Sequence, residues 1–362
     1  MDNLFLYYET LHRMPERAFQ EIKTSAYVEQ RLKDMGYTPV RVGETGLYAD
    51  LCVDPQLPWL VFRADMDALP VEEDTGVSFA SEIPGMMHAC GHDAHAAMLL
   101  TAAEQIYGKT LPQNIRFLFQ PAEEITGGAE KMIEAGVLPE NTSAVFGFHV
   151  WPKVPKGKLV VKAGPLMASS TRVQILCKGK NAHCSKRHEG ADALLTAAMI
   201  ATRFHEAEAA AGGDGTVLFC GKLHSGKAHN IVSDESEMLG TLRTFSQEKW
   251  ELVIGKLKQI AAETAAQYGT QAEVLTFSYN PAVINHEPLA EKVQQLFPEA
   301  IADYEPALAA EDFSRYREKA PAMLLWLGAG DTAALHNGKF LPPREILPIG
   351  VNAWLKIANH TW

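Results

Sequence analysis

The feature that most constrains the fold of this chain is a set of short, almost continuous apolar runs separated by helical patterns. The runs cover residues 59–62, 115–119, 144–150 and 323–327. Strands that are apolar on both faces are typical of parallel sheets covered by helices on either side. The pattern therefore predicts an α/β domain built on a mostly parallel sheet.

A separate helix is predicted near the N-terminus. Gly36 follows this stretch directly, and glycine is common just past the end of a helix. We therefore expect one helix over residues 17–35, with a single buried face. That face would be formed by Ala18, Ile22, Ala26, Val28 and Leu32.

The middle of the chain has a different pattern, in which polar and apolar residues alternate as in strands with one exposed face. The strands and helices expected here are, in chain order, 171–177, 191–210, 216–221, 237–245, 247–267 and 271–277. This β-α-β-β-α-β order predicts a ferredoxin-like α+β domain. The length of 362 residues favours two domains. The simplest arrangement puts the α/β domain in residues 1–166 and 281–362 and the inserted domain in residues 167–280.

Composition excludes several classes of protein. Lys and Arg number 33 against 44 Asp and Glu, so the net charge is 33 − 44 = −11. This balance argues against a nucleic-acid partner, which requires clustered basic residues. No apolar run approaches the ~20 residues of a membrane span, and the first residues lack the pattern of a signal peptide. Five cysteines, an odd and sparse set, indicate reduced thiols and a cytoplasmic protein.

Residues with metal-binding and acid–base chemistry follow the apolar runs. Because the carboxyl ends of parallel strands meet at one edge of a sheet, we expect these side chains to converge. A further cluster, His88-Ala-Cys90-Gly-His92-Asp93, directly precedes the predicted helix at 94–106. The residues that follow or end the runs are Asp65, Asp67, Glu123, Glu124, His149 and His336.

The residue types suit a transition-metal site. Thiolate, imidazole and carboxylate are the usual zinc ligands, and the same mixture also suits Mn, Co or Ni. The adjacent pair Glu123 and Glu124 allows a division of roles. One carboxylate can bind the metal while the other stays free to act as a general base and acid.

The sequence resembles the dimetal amidohydrolases of the carboxypeptidase G and aminoacylase family. Within that family it is most similar to the branch of hippurate hydrolase, auxin–amino-acid conjugate hydrolases and N-acetyldiaminopimelate deacetylase. The similarity extends over nearly the whole chain. It is carried by Leu11-His-Arg-Met-Pro-Glu16, Arg63-Ala-Asp65-Met-Asp67-Ala-Leu-Pro70, His88-Ala-Cys90-Gly-His92-Asp93-Ala-His95, Gln120-Pro-Ala-Glu123-Glu124 and Leu335-His336.

The resemblance implies two divalent transition metal ions (Zn, Mn, Co or Ni) in a metallopeptidase catalytic domain. Glu123 would be the general base and acid acting on a metal-bridging hydroxide. Asp65 and Asp67 would orient the ligands, and which of the two is the functional acid stays open. The implied metal ligands are Cys90, His92, Glu124, His149 and His336.

The resemblance also assigns the inserted domain as a lid and dimerisation domain. His183 matches a histidine that the family's lid offers to the reacting carbonyl, within one chain or across a homodimer. Asn230 and Arg243 match positions that meet the substrate carboxylate, and Glu311 is a further candidate near the site. These residues are expected to contact substrate.

Taken together, the sequence predicts a metal-dependent amidohydrolase that cleaves N-acyl amino acids, such as N-acetyl or N-benzoyl conjugates, into a carboxylic acid and an amino acid. Two alternatives within the same fold stay open: a dipeptidase or carboxypeptidase, and a catalytically silent metal-dependent binding protein. A cysteine nucleophile at Cys90 is the weaker reading, because a metal ligand would not be free to attack. The expected partner is a small molecule, with no nucleic acid and no membrane.

Overall fold

The computed structural model describes residues 3–362. Met1 and Asp2, the start of the stretch used above to argue against a signal peptide, lie outside the described residues. The contacts divide the chain into two compact units. One comprises the segment ending at Leu166 together with Ile284–Glu305 and Asp312–Trp362, and the other comprises Met167–Val283 and Pro306–Glu311.

Strands are numbered here in chain order over the described residues. They are β1 (Val40–Val42), β2 (Gly46–Leu51), β3 (Trp59–Asp65), β4 (Asn114–Gln120), β5 (Thr142–Pro152), β6 (Leu159–Val160), β7 (Gly164–Met167), β8 (Ser170–Lys178), β9 (Val217–Ser225), β10 (Glu235–Arg243), β11 (Gln271–Asn280), β12 (Val283–Asn285) and β13 (Ala322–Gly330).

The helices are numbered in the same way. They are α1 (Leu4–Arg13), α2 (Ile22–Asp34), α3 (His92–Ile106), α4 (Gly128–Glu134), α5 (Ala193–Thr202), α6 (Phe204–Ala210), α7 (Gln247–Tyr268), α8 (Glu287–Leu296) and α9 (Leu347–Ala358). Short 3-10 turns occupy Cys184–Glu189, Asp312–Glu318 and Arg344–Ile346.

The first unit is built on a sheet with the strand order β1-β2-β4-β3-β5-β13-β6. Its four central strands, β4, β3, β5 and β13, are parallel, and the strands outside them pair antiparallel. Every residue of β4 is buried, and β3 and β13 are buried along almost their whole length. Burial on both faces explains why these strands appear in the sequence as continuous apolar runs.

The second unit is an antiparallel sheet with the order β11-β8-β10-β9, packed against α5, α6 and α7. Numbering its strands 1 to 4 along the chain gives the order 4-1-3-2 of a ferredoxin-like β-α-β-β-α-β unit. The helix expected over 191–210 is two shorter helices, α5 and α6. A separate two-stranded sheet pairs β7 with β12. The predicted fold class, a mostly parallel α/β sheet with an added ferredoxin-like unit, is confirmed.

The helix predicted over 17–35 is shorter than expected. It begins at Ile22, and the preceding residues form a turn in which Phe19 has a left-handed φ of 59°. Ile22 and Ala26 are exposed, whereas Thr24 lies in the buried face. The assignment of Ile22 and Ala26 to the buried face was therefore wrong. Thr24 is buried in that face instead, because the Glu16 carboxylate accepts hydrogen bonds from its N–H and its hydroxyl.

None of the helices described in residues 3–362 has the length and apolar character required to cross a membrane. The five cysteines all lie within residues 3–362, and none of them forms a disulfide there.

Candidate metal centre

The candidate site lies at the carboxyl ends of the central strands. Asp65 is the last residue of β3, and Glu123 follows the end of β4 by three residues. Gly91 caps α3 with a left-handed φ of 86°, and a Cβ at this position would lie 2.4 Å from Cγ2 of Val150 in β5. Only glycine fits this close approach, which places Cys90 and His92 beside β5.

One group of potential ligands consists of Cys90, His92 and His149, all buried. Their ligand atoms lie within 4.8 Å of one another, and Cys90 Sγ is 3.4 Å from His149 Nε2. A second group shares Cys90 and adds Glu124 and His336. In that group His336 Nε2 lies 3.4 Å from Glu124 Oε2. The structure thus brings together all five predicted ligands.

Hydrogen bonds orient the two buried imidazoles toward the centre of this cluster. His149 Nδ1 lies 2.7 Å from the carbonyl oxygen of Val150, and donation there leaves the lone pair on Nε2. His92 Nδ1 lies 2.9 Å from the carbonyl oxygen of Asp67 and 3.2 Å from its Oδ1. Among the described residues, the buried His92 Nε2 has no hydrogen-bond partner. A polar atom buried without a partner is costly, and a metal ion would satisfy it.

The electrostatics of the cluster also fit a cation. Burial opposes protonation of His92, but Asp65, Asp67 and Glu124 together raise its pKa to about 10. Burial raises the pKa of Glu124 to about 7, opposed by His92 and reinforced by Asp67. Burial holds the pKa of His149 well below its usual range, so this imidazole is neutral. In the metal-free protein His92 is therefore protonated near pH 7 and His149 is neutral. A divalent transition metal bound in place of the His92 proton would interact with the same carboxylates.

Asp67 and Asp65 have different contacts. Asp67 accepts hydrogen bonds from the backbone N–H groups of both Glu123 and Glu124, each at 3.0 Å, and its Oδ1 faces His92. Asp65 instead contacts His95 Nδ1 at 2.6 Å and Arg63 at 2.6 Å, with Oδ2 3.8 Å from His92 Nε2. Asp67 is therefore the carboxylate that contacts the ring of His92 and the backbone of both Glu123 and Glu124.

His95 is close to the cluster without being free to bind a metal. Its Nε2 accepts the Val150 N–H at 2.9 Å, so Nδ1 carries the proton that it shares with Asp65. Both ring nitrogens are thus used in hydrogen bonds. His95 links α3 to β3 and β5 beneath the ligands.

Glu123 is buried beside the cluster, with 6% of its surface exposed. Its Oε1 accepts the Asp312 N–H at 3.2 Å. The Asp312 carboxylate in turn accepts hydrogen bonds from Arg63 at 3.0 Å, Gln120 at 2.8 Å and the Ala129 N–H at 2.9 Å. Neither Asp312 nor Arg63 is among the site residues predicted from the sequence. Arg63 is fully buried near the end of β3, and a buried guanidinium at such a position indicates that its charge is paired.

The predicted substrate-contacting residues of the inserted domain fall in two places. The segments containing His183 and Asn230 are paired through the backbone, since the Cys184 N–H donates to the Asn230 carbonyl at 2.9 Å. Arg243 lies at the opposite end of β10. The nine residues of β10 alone span about 26 Å at the usual rise of a strand. Within one copy of the second unit, His183 and Asn230 therefore lie close together, and Arg243 lies far from both.

The remaining candidates have distinct environments. Burial lowers the pKa of Arg243, and its Nη1 is buried without a hydrogen-bond partner among residues 3–362. His183 is exposed and its Nδ1 lies 2.8 Å from the Ser185 hydroxyl. Glu311 is buried and falls in the second unit.

Comparison with known proteins agrees with this geometry. Residues 61–360 match the model of peptidase family M20/M25/M40. The chain is 35% identical over 359 residues to an N-acetylcysteine deacetylase of Bacillus subtilis, covering 96% of this chain and 94% of that protein. It is 33% identical over 366 residues to an N-acetyldiaminopimelate deacetylase of Streptococcus sanguinis, covering 97% and 96%.

A solved structure from Bacillus subtilis, described as a dinuclear metal-binding peptidase of the M20 family, superposes with a TM-score of 0.89 at 33% identity, covering 99% of this chain and 96% of that chain. A putative aminohydrolase from methicillin-resistant Staphylococcus aureus superposes with a TM-score of 0.93 at 26% identity, covering 99% and 97%. The predicted resemblance to metal-dependent hydrolases is thereby confirmed. The chain belongs to peptidase family M20/M25/M40.

Proposed function

We propose that this protein hydrolyses the amide bond of N-acyl amino acids, releasing a carboxylic acid and a free amino acid. The observation that carries the proposal is the position of Glu123, a buried carboxyl group next in sequence to Glu124 of the ligand cluster. Relatives named as deacetylases of N-acetylcysteine and N-acetyldiaminopimelate support an N-acetyl group as the first acyl group to test.

The five clustered side chains would hold two divalent ions, chosen from Zn, Mn, Co or Ni. When bound, such ions act as Lewis acids that polarise an amide carbonyl and allow water to lose a proton near neutral pH. The overlap of two ligand groups at Cys90 supports a pair of ions. The proposed ligands are Cys90, His92, Glu124, His149 and His336.

Glu123 would move the protons of the reaction. With Oε1 held by the Asp312 N–H, its carboxylate takes a proton from the attacking water and later transfers it to the leaving amine nitrogen. Asp67 fixes the backbone of Glu123 and Glu124 and the ring of His92. Asp65 acts further away, through Arg63 and His95. We therefore propose Asp67 as the functional orienting acid.

Arg243 would bind the substrate carboxylate. Its buried Nη1 lacks a protein partner among the described residues, and a carboxylate would accept a hydrogen bond there. Since about 26 Å of strand separates the two ends of β10, one small substrate cannot reach Arg243 and the His183–Asn230 pair of the same copy. We propose that these groups reach one substrate from two chains of a homodimer. Mixing inactive His183→Ala and Arg243→Ala chains would then restore activity to a fraction of the dimers, whereas action within one chain predicts no recovery.

The proposed function is tested with Glu123→Gln, which preserves size but cannot accept the proton. We expect this variant to retain the wild-type metal content and to lose hydrolysis of N-acetyl and N-benzoyl amino acids. Glu130→Gln, at an exposed position of α4, is the matched control and should remain active. Near-normal turnover by Glu123→Gln would refute the assigned base. A wild type that cleaves only dipeptides, or cleaves nothing when metal-loaded, would refute the proposed substrate class.

A further inference from the structure

The turn that carries Glu123 and Glu124 is held by two buried carboxylates, Asp67 and Glu21, and only Asp67 is among the site residues predicted from the sequence. Three consecutive backbone N–H groups point at carboxylate oxygens. The N–H groups of Glu123 and Glu124 donate to Asp67, and the preceding N–H of Ala122 donates to Oε1 of Glu21 at 2.9 Å. Glu21 is fully buried and lies 101 residues away in sequence.

The same oxygen of Glu21 also accepts the N–H of Phe19 at 3.0 Å. Phe19 and Ala122, its two donors, have left-handed φ angles of 59° and 55°. This region is unfavourable for residues that have a Cβ, so such conformations persist only where surrounding contacts hold them. One buried carboxylate therefore fixes two strained residues, and one of them directly precedes Glu123.

A second contact ties the same two segments together. The Lys131 Nζ of α4 lies 3.8 Å from the centre of the Phe19 ring. The ring also packs on Gly127, where an added Cβ would lie 3.6 Å from it. Ala122 closes the turn at its other end, because its carbonyl oxygen accepts the Gly128 N–H at 3.2 Å. The segment before α2 is thus a support for the loop between β4 and α4.

We propose that Glu21 is a positioning residue for the reaction, acting as a hydrogen-bond acceptor that fixes the turn at Ala122 and so sets the places of Glu123 and Glu124. The role needs an acceptor at the end of a three-carbon side chain and does not need a negative charge. The effect on kcat can be measured only if the proposed function holds, so this part of the inference rests on it. The effect on metal affinity is an independent measurement, which requires only that Glu124 binds a metal.

Three substitutions of Glu21 separate this role from simple stability. Glu21→Gln keeps an acceptor in place and should keep kcat within about threefold of wild type. Glu21→Ala removes the acceptor and Glu21→Asp withdraws it by one methylene. Both should lower kcat by about 10- to 100-fold with little change in KM, because the base is displaced from the reacting atoms. Both should also weaken Mn²⁺ binding by about tenfold, measured by competition with a chelator.

Glu16→Ala is the matched control. The Glu16 carboxylate accepts the N–H groups of Lys23 and Thr24 at 2.8 and 2.9 Å and so caps α2, with no side-chain bond to the turn. This variant should unfold more easily but keep the wild-type kcat and Mn²⁺ affinity. If Glu21→Ala does not fold, Glu21→Asp and Glu21→Gln carry the comparison.

The proposal is overturned if Glu21→Asp matches wild type in both kcat and Mn²⁺ affinity. It is equally overturned if Glu21→Gln is as impaired as Glu21→Asp, or if Glu16→Ala shows the same losses. A wild type without activity on N-acyl amino acids would instead refute the proposed function. The Mn²⁺ measurements would still decide the role of Glu21.

Discussion

Substituting Asp312 by Asn tests the buried network that supports Glu123. Both carboxylate oxygens of Asp312 accept hydrogen bonds, Oδ1 from Arg63 and Gln120 and Oδ2 from the Ala129 N–H. An asparagine offers one acceptor and one NH2 donor. Whichever way its amide is turned, the NH2 faces another donor, so Asp312→Asn cannot preserve the network although its size is unchanged.

The cost follows from what is left unpaired. A buried donor that loses its acceptor costs about 1–3 kcal/mol, and removal of one member of a buried ion pair costs about 3–5 kcal/mol. Arg63 keeps its contact with Asp65 at 2.6 Å, which limits the loss. We therefore expect Asp312→Asn to lower the free energy of unfolding by about 3 kcal/mol. Turnover should also fall, because the Asp312 N–H holds Oε1 of Glu123.

The assay is urea unfolding followed by tryptophan fluorescence, since Trp326 and Trp354 are buried in the same unit. A loss of this size moves the midpoint by about 1 M urea if the slope is near 3 kcal/mol/M. Asp303→Asn, at a fully exposed aspartate of the same unit, is the control and should stay within about 0.5 kcal/mol of wild type. If Asp312→Asn unfolds at the control's midpoint and turns over like wild type, the Asp312 network contributes neither to stability nor to the position of Glu123.

Two further predictions concern other buried groups. Cys90→Ser should weaken Zn²⁺ binding by at least about tenfold, because it replaces a thiolate by a hydroxyl; chelator competition measures this, and equal affinity would remove Cys90 from the ligand set. Burial opposes protonation of His12, yet Asp93 and Glu73 raise its pKa from 6.5 to about 9. Its contribution to stability, roughly 3 kcal/mol, is therefore complete below about pH 6.5 and is lost as the pH rises to about 9. The difference in unfolding free energy between wild type and His12→Gln should shrink across this window, and a constant difference would contradict the charge assigned to His12.

The central strands and the proximity of the candidate ligands could be predicted from the sequence, for physical reasons. The run at 59–62 is apolar throughout because β3 is buried on both faces, and the polar residues that follow it are forced to one edge of the sheet. The left-handed Gly91 lies between Cys90 and His92 within a short local motif, so this pair of candidate ligands is visible in the sequence. Local patterns therefore predict what local geometry determines.

The buried carboxylates that hold the site, Glu21 and Asp312, could not be predicted from local sequence patterns. Glu21 and Ala122 are 101 residues apart, and Asp312 and Ala129 are 183 apart, so neither pairing leaves a local pattern. The start of α2 was misplaced for a related reason. Counting apolar residues assigns Ile22 to the core, whereas Thr24 is buried because the Glu16 carboxylate satisfies both its N–H and its hydroxyl. A polar residue whose partner is distant is indistinguishable in sequence from an exposed one.

We propose that the clustered side chains hold a pair of divalent metal ions next to Glu123. The most direct measurement is anomalous diffraction from crystals of the protein loaded with Mn²⁺ or Zn²⁺. We expect two anomalous peaks, one within bonding distance of the His92 and His149 nitrogens and one within bonding distance of the Glu124 and His336 side chains, about 2.0–2.4 Å away in each case. The absence of peaks at these side chains in metal-loaded crystals, or peaks only elsewhere on the protein, would contradict it.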